Sequence, residues 1–255
     1  MRGTRRPAVA GTFYPGDPAT LADTVDRLLA AAAPAPPGPP PRALVVPHAG
    51  YEYSGPVAAT AYARVLDDVR RRVAAIGPSH WTPLRGLAAS DAATWRTPLG
   101  DVPVDPPPPG VPFDRSAHDR EHALEVQLPV LQRMWGSLTF TAIAVGTGPA
   151  TAAADLLEPL WNDDSTLLIC STDLSHHLDR ATAERNDRRT ADAVVRLEAR
   201  TLQPDDACGV HALQALLLLT RRHGGTVELL DLRTSADTAG TPDRVVGYGA
   251  FVVRA

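Results

Sequence analysis

The stretch Leu44-Val45-Val46-Pro47-His48-Ala49-Gly50-Tyr51-Glu52-Tyr53-Ser54-Gly55 decides the fold. It begins as a short apolar run, reaches a histidine, and continues into a glycine-containing turn with two tyrosines and a serine. A strand that leads through a polar turn into a helix is typical of open α/β sheets, whose chemistry lies at the carboxyl ends of the strands. His48 is therefore expected at that edge of a sheet.

Two later segments repeat this arrangement. One is Val73-Ala74-Ala75-Ile76-Gly77-Pro78-Ser79-His80, and the other is Leu167-Leu168-Ile169-Cys170-Ser171-Thr172-Asp173-Leu174-Ser175-His176. Each apolar run delivers a histidine at or soon after its end. Because the carboxyl ends of parallel strands meet at one edge of a sheet, the repetition indicates a single shared site.

Strand-like and helix-like patterns alternate along the whole chain. Helices are predicted at 18–32, 56–66, 116–135 (with Pro129 ending or kinking it), 152–161, 180–200 and 211–220. Strands are predicted at 44–47, 73–76, 86–90, 102–104, 138–145, 166–170, 226–232 and 245–253. This alternation predicts one α/β domain over residues 1–255, with a central mixed β-sheet flanked by helices in three layers.

Composition excludes several classes of protein. With 44% hydrophobic residues in 255, the chain can form a sizeable core, and its net charge of -4 gives no basic field for nucleic acid. Two cysteines cannot build a disulfide scaffold, which predicts a cytoplasmic protein. No apolar run approaches the roughly 18 residues of a membrane span. Neither nucleic acid nor a membrane is an expected partner.

The histidines point to metal chemistry. Neutral imidazoles gathered at one edge suit Fe, Zn or Cu, and two histidines with one carboxylate form the non-haem Fe(II) arrangement. Fe(II) is the expected ion, with Cu or Zn as alternatives. A single histidine at a strand end can equally be an ordinary hydrogen-bonded loop residue, but three in similar contexts favour a site.

The segment His118-Asp119-Arg120-Glu121-His122 offers a competing interpretation. It matches the inverted zincin pattern H-x-x-E-H, in which one helix presents two zinc ligands and a general base. A zinc hydrolase using His118, Glu121 and His122 is the less favoured alternative. The preferred interpretation is that Glu121, His122 and Glu125 orient the ligands of a metal held elsewhere.

Asp173 and His176 form a candidate acid–base pair, with the carboxylate orienting the imidazole. Asp173 can at the same time cap a following helical turn. The cysteines are less promising, because Cys170 lies in an apolar run and Cys208 has no activating neighbour in the sequence.

Together these motifs resemble the Memo-like proteins, which in bacteria appear as protein B of the AmmeMemoRadiSam system. The resemblance extends in order from about residue 7 to about residue 253. It is carried by Ala8–Pro15, Pro47–Gly55, Gly77–His80, Thr97–Gly100, Glu121–Pro129, Ser171–His176 and Val245–Tyr248.

This resemblance implies a fold like that of the LigB-type class III extradiol dioxygenases, in which two histidines and a glutamate hold Fe(II) and a further histidine moves a proton. Carried over by motif, His48 and His80 are metal ligands, and His176 is the acid–base residue beside Asp173. The resemblance also implies a third ligand, which in animal members of the family is a cysteine in the loop before the last strand. Counting back from Gly247-Tyr248, the place of that cysteine falls near Thr238. No cysteine lies there, so the neighbouring Asp237 is the expected third ligand.

The resulting expectation is a dioxygenase-like, iron-dependent oxidoreductase acting on an unidentified small molecule. Tyr51, Tyr53 and Trp81 are candidates to line a pocket for a planar ligand, although an isolated tyrosine more often packs in a core. The alternative is a non-catalytic protein on the same fold that binds a peptide or protein partner. The family also implies a functional link to the other AmmeMemoRadiSam proteins, including a radical SAM enzyme.

Overall fold

A computed structural model describes residues 3–34 and 38–255. The helices are α1 (Pro18–Ala31), α2 (Tyr51–Tyr62), α3 (Leu128–Trp135), α4 (Ala150–Trp161), α5 (Arg180–Val195) and α6 (Val210–Arg222). The strands are β1 (Thr4–Arg5), β2 (Ala43–Val46), β3 (Arg72–Gly77), β4 (Leu87–Ala89), β5 (Thr94–Thr97), β6 (Gly100–Pro103), β7 (Thr139–Val145), β8 (Thr166–Ser171), β9 (His176–Leu178), β10 (Thr226–Thr234) and β11 (Val245–Arg254). The proline-rich stretch from Pro34 to Pro41 is predicted to be a surface connector, and its residues 35–37 lie outside the described residues.

The main sheet is mixed, as predicted. Its strand order is β10-β11-β2-β8-β3-β7-β4, with β9 added beside β11. Strands β2, β8, β3 and β7 run parallel to one another, whereas β4, β10 and β11 pair antiparallel with their neighbours. The parallel strands are short apolar runs because helices cover both of their faces.

Side chains of β2 show how one strand serves two cores. Leu44 and Val46 pack on the face covered by α1, α2 and α3, and Ala43 and Val45 pack on the face covered by α4, α5 and α6. This follows from the alternation of successive side chains across a strand. The predicted three-layer α/β architecture is confirmed.

Three helix predictions were wrong in their extent, and one of them is α5, which ends at Val195 rather than at the predicted residue 200. Helix α2 begins at Tyr51, five residues before the predicted start, and Pro56 lies inside it. In the segment predicted as helical over 116–135, only a 3-10 turn (Glu125–Gln127) and α3 are helical. Pro129 is tolerated because it lies in the first turn of α3, where its missing N–H is not needed.

A smaller sheet of β1, β5 and β6 flanks the main one, with Thr4 and Arg5 paired to Thr94 and Trp95. Through the described part of the chain, no helix is both long enough and apolar enough to cross a membrane.

Candidate metal centre

Three histidines converge at the carboxyl edge of the parallel strands. One ring nitrogen from each of His48, His80 and His122 lies within 4.8 Å of the others. The rings of His80 and His122 stack with centroids 4.7 Å apart, and His48 meets both edge-on at 5.2 and 5.4 Å. The structure therefore brings together His48 and His80, as predicted, but the third member is His122.

The fold explains this convergence. His48 follows the end of β2 by two residues and His80 follows the end of β3 by three, while His122 lies in the loop before α3. A Cβ at Gly77, the last residue of β3, would be 2.9 Å from Leu124 Cδ2 and 3.2 Å from the Ser171 carbonyl oxygen. Glycine at this position lets the loop that carries His122 lie directly against the strand ends.

Hydrogen bonds fix the tautomer of His48. The Ser171 hydroxyl donates to the Ala123 carbonyl at 2.6 Å, so its oxygen must accept from the His48 Nδ1–H at 2.9 Å. The His48 backbone N–H donates to Asp173 Oδ1 at 2.7 Å. Nδ1 of the ring is therefore protonated, which leaves the lone pair on Nε2 available to a metal.

Glu121 orients His80 in the same manner. Its carboxylate accepts from His80 Nδ1 at 2.8 Å and from the His80 backbone N–H at 2.6 Å. It also accepts from the backbone N–H groups of His122 and Ala123. Burial alone would raise the pKa of Glu121, but the hydrogen bond and charge of His80 and the backbone donors outweigh it and set the pKa at about 2. An ionised carboxylate behind a histidine is the usual outer partner of a metal ligand.

The other two rings are held neutral. Burial, with a smaller contribution from the charge of His80, lowers the pKa of His48 to about 3. Burial and the charge of His48 lower the pKa of His122 to about 4. Neutral imidazoles are the form that binds metal, so at neutral pH no proton competes for these nitrogens.

Cys208 is the residue that sequence reasoning missed. Its Sγ lies 3.2 Å from His48 Nε2 and 3.3 Å from the backbone nitrogen of Asp173. Burial, and then the charge of Asp173, raises the pKa of this thiol to about 12. The cysteine reaches the site from the start of α6, 160 residues beyond His48. Local sequence gives no signal of that contact.

Asp237, the predicted third ligand, does not join this group. Its carboxylate accepts from the Thr234 backbone N–H at 2.8 Å and from the Thr234 hydroxyl at 3.0 Å, and it pairs with Arg180. It caps the 3-10 turn at Ser235–Asp237. Asp237 therefore lies outside the group of His48, His80 and His122, which has the Cys208 thiol beside it.

Asp173 and His176 are close to the site but not hydrogen-bonded to each other within the described structure. Asp173 is buried beneath His48, where burial raises its pKa. His176 is exposed on β9, and its charge lowers the pKa values of Asp173 and His48. The turn after Asp173 leads into a strand, so no helix is capped there.

The zincin geometry does not form. His118 is buried away from the three-histidine group, with Nε2 3.0 Å from the Ala88 carbonyl and its ring 5.8 Å from that of Trp95. The pattern H-x-x-E-H needs a helix, whereas 118–120 form a turn and Glu121 and His122 have no regular secondary structure. Glu125 also differs from the expectation, since it binds the N-terminal segment through Arg5, Ala8, Val9 and Tyr14.

The aromatic candidates differ in their surroundings. Tyr51 is buried, and its hydroxyl donates to the Val126 carbonyl at 2.6 Å. Tyr53 is half-buried and packs against the core beneath α2. Trp81 is 55% exposed directly after His80, with the guanidinium of Arg120 4.4 Å from its ring centroid. Of the three, Trp81 is the one free to meet a ligand.

The donor set fits a transition metal. Three imidazoles, two of them with Nδ1 hydrogen-bonded to Ser171 or Glu121, leave ring nitrogens facing a common point, and a thiol lies beside them. Imidazole suits Fe, Cu and Zn, and thiolate adds preference for softer ions.

Comparison with known proteins agrees with the motifs. The family model of the Memo-like proteins matches residues 5–252. A MEMO1 family protein of Methanopyrus kandleri is 33% identical, covering 98% of this chain and 99% of its own length. One from Methanococcoides burtonii is 33% identical over 98% of this chain and all of its own, and one from Thermotoga maritima is 32% identical over 96% and 97%. The chain belongs to the Memo family.

Proposed function

We propose that this protein holds a redox-active transition metal ion through His48, His80 and His122, and that it acts as a non-haem, dioxygenase-like oxidoreductase on a small molecule. The observation that carries the proposal is the set of three ring nitrogens within 4.8 Å of one another, with hydrogen bonds at Nδ1 of His48 and His80 that leave Nε2 as the ligand atom of each ring. A bound ion would supply a Lewis-acid and redox centre at this point.

Each residue of the chain has a separate role in this proposal. The metal ion is bound by His48, His80 and His122. Glu121 fixes the orientation of the His80 ring and makes this ligand more basic. Asp173 anchors the backbone of His48, while the exposed His176 exchanges a proton between the site and solvent. Fe(II) is the first candidate ion. Cu(I) is the second, because the Cys208 thiol would add a soft ligand.

Metal analysis of protein purified without oxygen tests the binding step. We expect stoichiometric loading with Fe or Cu, lost in His80→Ala and retained in His223→Ala. His223 is a suitable control because it lies at the end of α6 and pairs with Glu158. Full loading of the His80→Ala variant, with circular dichroism showing it folded, would rule out the shared site.

A second pair of variants identifies the third ligand. His122→Ala should lower metal affinity strongly, whereas Asp237→Asn should leave it unchanged because Asp237 caps a turn away from the histidines. The reverse result would favour the site of two histidines and the Asp237 carboxylate.

Oxygen uptake tests the catalytic step. Metal-loaded protein should consume oxygen with catechol-type or related small substrates, and His176→Ala should keep the metal and lose the activity. If metal binds but no tested substrate is consumed, the result favours the non-catalytic, partner-binding alternative.

A further inference from the structure

A cavity separate from the group of His48, His80 and His122 lies between helix α5 and strand β10. Its volume is about 1000 Å³. Its wall is rich in charged side chains and contains no aromatic residue among those that line it. The charged members are Arg180, Arg185, Arg188 and Arg233, together with Glu184, Asp187 and Asp237.

Two of the four arginines are already neutralised. Arg180 pairs with Glu184 and Asp237, and Arg233 pairs with Asp231. Arg185 donates only to the Thr182 hydroxyl, at 2.9 Å, and Arg188 has no hydrogen bond or ion pair within residues 3–34 and 38–255. Arg185 and Arg188 are three residues apart on α5 and therefore share one helix face. Neither guanidinium forms an ion pair in the described structure, and the charge of Arg185 acts on Asp179 only as a minor cause of that residue's lowered pKa.

The cavity also presents hydrogen-bond acceptors. Asp187 does not contribute one, because it is 1% exposed, with Oδ1 accepting the Ser175 backbone N–H at 3.0 Å and Oδ2 buried against Gly247 behind the wall. Glu184 and Asp237 each use an oxygen on Arg180, and a carboxylate can accept further bonds. Burial raises the pKa of Asp187, so the carboxyl repels a nearby anion less than a free aspartate would.

These groups define one class of ligand. Unpaired guanidinium groups bind phosphate with multiple parallel hydrogen bonds, and carboxyl oxygens accept hydrogen bonds from hydroxyl groups. The absence of an aromatic stacking partner among the lining residues disfavours a nucleobase. We propose that the cavity binds a phosphorylated polyol of the sugar phosphate class, with the phosphate on Arg185 and Arg188 and the hydroxyls on the carboxyl groups.

Calorimetric titration at constant ionic strength tests this proposal, using glucose 6-phosphate, glucose and inorganic phosphate as probes. Metal-free and metal-loaded protein should give the same result, so failure here is separate from failure of the proposed function. We expect glucose 6-phosphate to bind saturably and more tightly than either inorganic phosphate or glucose.

Substitutions separate the two halves of the ligand. The double variant Arg185→Ala/Arg188→Ala should lose at least about tenfold in affinity, because charge-assisted hydrogen bonds are removed. The matched control is Arg221→Ala on α6, an exposed arginine that also has no ion pair among the described residues. Glu184→Ala, which removes an exposed carboxylate of the wall, should bring the affinity for glucose 6-phosphate towards that for inorganic phosphate.

Three results would overturn the proposal. They are no saturable binding of glucose 6-phosphate, equal affinity for glucose 6-phosphate and inorganic phosphate in the unmodified protein, and equal losses in the double variant and in the Arg221→Ala control. Circular dichroism of each variant ensures that a lost signal reflects the cavity.

Discussion

The carboxylate of Glu121 holds His80 at two points. It accepts both the backbone N–H and the ring Nδ1–H of that residue, at 2.6 and 2.8 Å, across 41 positions of sequence. The same carboxylate binds the backbone N–H of the adjacent His122. One buried anion therefore sets the positions of two of the three clustered histidines, and it does so with a side chain that does not itself belong to the cluster.

Glu121→Gln should weaken both the fold and the site. The amide NH2 of glutamine cannot accept, so at least one of the four donors around this position would lose its partner. We expect a loss of about 1–3 kcal/mol in the free energy of unfolding. Metal affinity should fall about 10–100-fold. Urea unfolding and competition with a chelator measure the two effects.

The control for this substitution is Glu228→Gln on β10. Glu228 is exposed and has no hydrogen bond or ion pair among the described residues, so both quantities should be unchanged. If Glu121→Gln and Glu228→Gln have the same stability and the same metal affinity, Glu121 does not orient the site.

Gly209→Ala should displace Cys208 from His48. A Cβ at position 209 would lie 2.8 Å from Thr172 Cβ and 2.9 Å from the Ser171 carbonyl oxygen. Neither atom can move easily, so the start of α6 must shift. We expect a destabilisation of about 1–3 kcal/mol, with a parallel loss of metal affinity if the thiol is a ligand.

Gly38→Ala is the matched change, because its Cβ would meet nothing within 4 Å. Its stability should stay within about 0.5 kcal/mol of the unmodified protein. A Gly209→Ala variant that melts like Gly38→Ala would contradict the tight packing of Cys208 against the β8 end.

The sequence was most informative where a pattern is local. Runs such as Leu44–Val46 predict buried parallel strands, and the histidines that follow β2 and β3 were correctly placed at one edge, because parallel strands share their carboxyl side. Helix α1 was predicted within one residue, since Asp17 caps it and Pro18 begins it.

The third member of the histidine group could not be derived in the same way. His122 lies in an irregular loop whose path is set by Gly77 and by the bonds of Glu121 and Ser171, none of which has a periodic signature. Asp237 was chosen by counting along the chain from Gly247. The structure uses it for a turn instead, because a carboxylate three residues after Thr234 completes a capping box.

Lowering the pH should destabilise the metal-free protein. The pKa of His48 is about 3 and those of His118 and His122 are about 4, chiefly because of burial, whereas an unfolded histidine titrates near 6.5. Below about pH 6.5 the unfolded chain therefore binds protons that the native protein does not, and stability falls with pH. Each such histidine contributes a loss of about 2 kcal/mol between pH 7 and 5.

Two carboxyl groups act in the opposite direction. Burial raises the pKa values of Asp173 and Asp187, so the native protein takes up these protons before the unfolded chain does. Urea unfolding of chelator-treated protein at pH 7 and pH 5 measures the net change in the free energy of unfolding. The His118→Gln variant should show a weaker pH dependence, because about one proton fewer is taken up on unfolding. Stability that is equal or higher at pH 5, or an unchanged slope in His118→Gln, would refute the assignment.

Breaking the buried ion pair of Arg5 and Glu125 should cost a large part of the free energy of unfolding. The two side chains are 2% and 0% exposed, and their closest atoms are 2.5 Å apart. Glu125 also accepts from the backbone N–H groups of Ala8 and Val9 and from the Tyr14 hydroxyl. Arg5 in turn donates to the carbonyl oxygens of His118 and Glu121. The pair ties the N-terminal segment to the loop that carries His122.

Glu125→Gln leaves the Arg5 charge buried without its counterion, and we expect a loss of about 3–5 kcal/mol in the free energy of unfolding. The comparison is Asp101→Asn, which removes the partner of Arg96 in an exposed pair and should cost at most about 1 kcal/mol. Because Arg5 holds the backbone on both sides of the 118–121 turn, Glu125→Gln should also lower metal affinity under conditions where the variant is still folded. If stability falls but metal affinity does not, the network supports the fold alone, and the position of His122 depends on Glu121 instead.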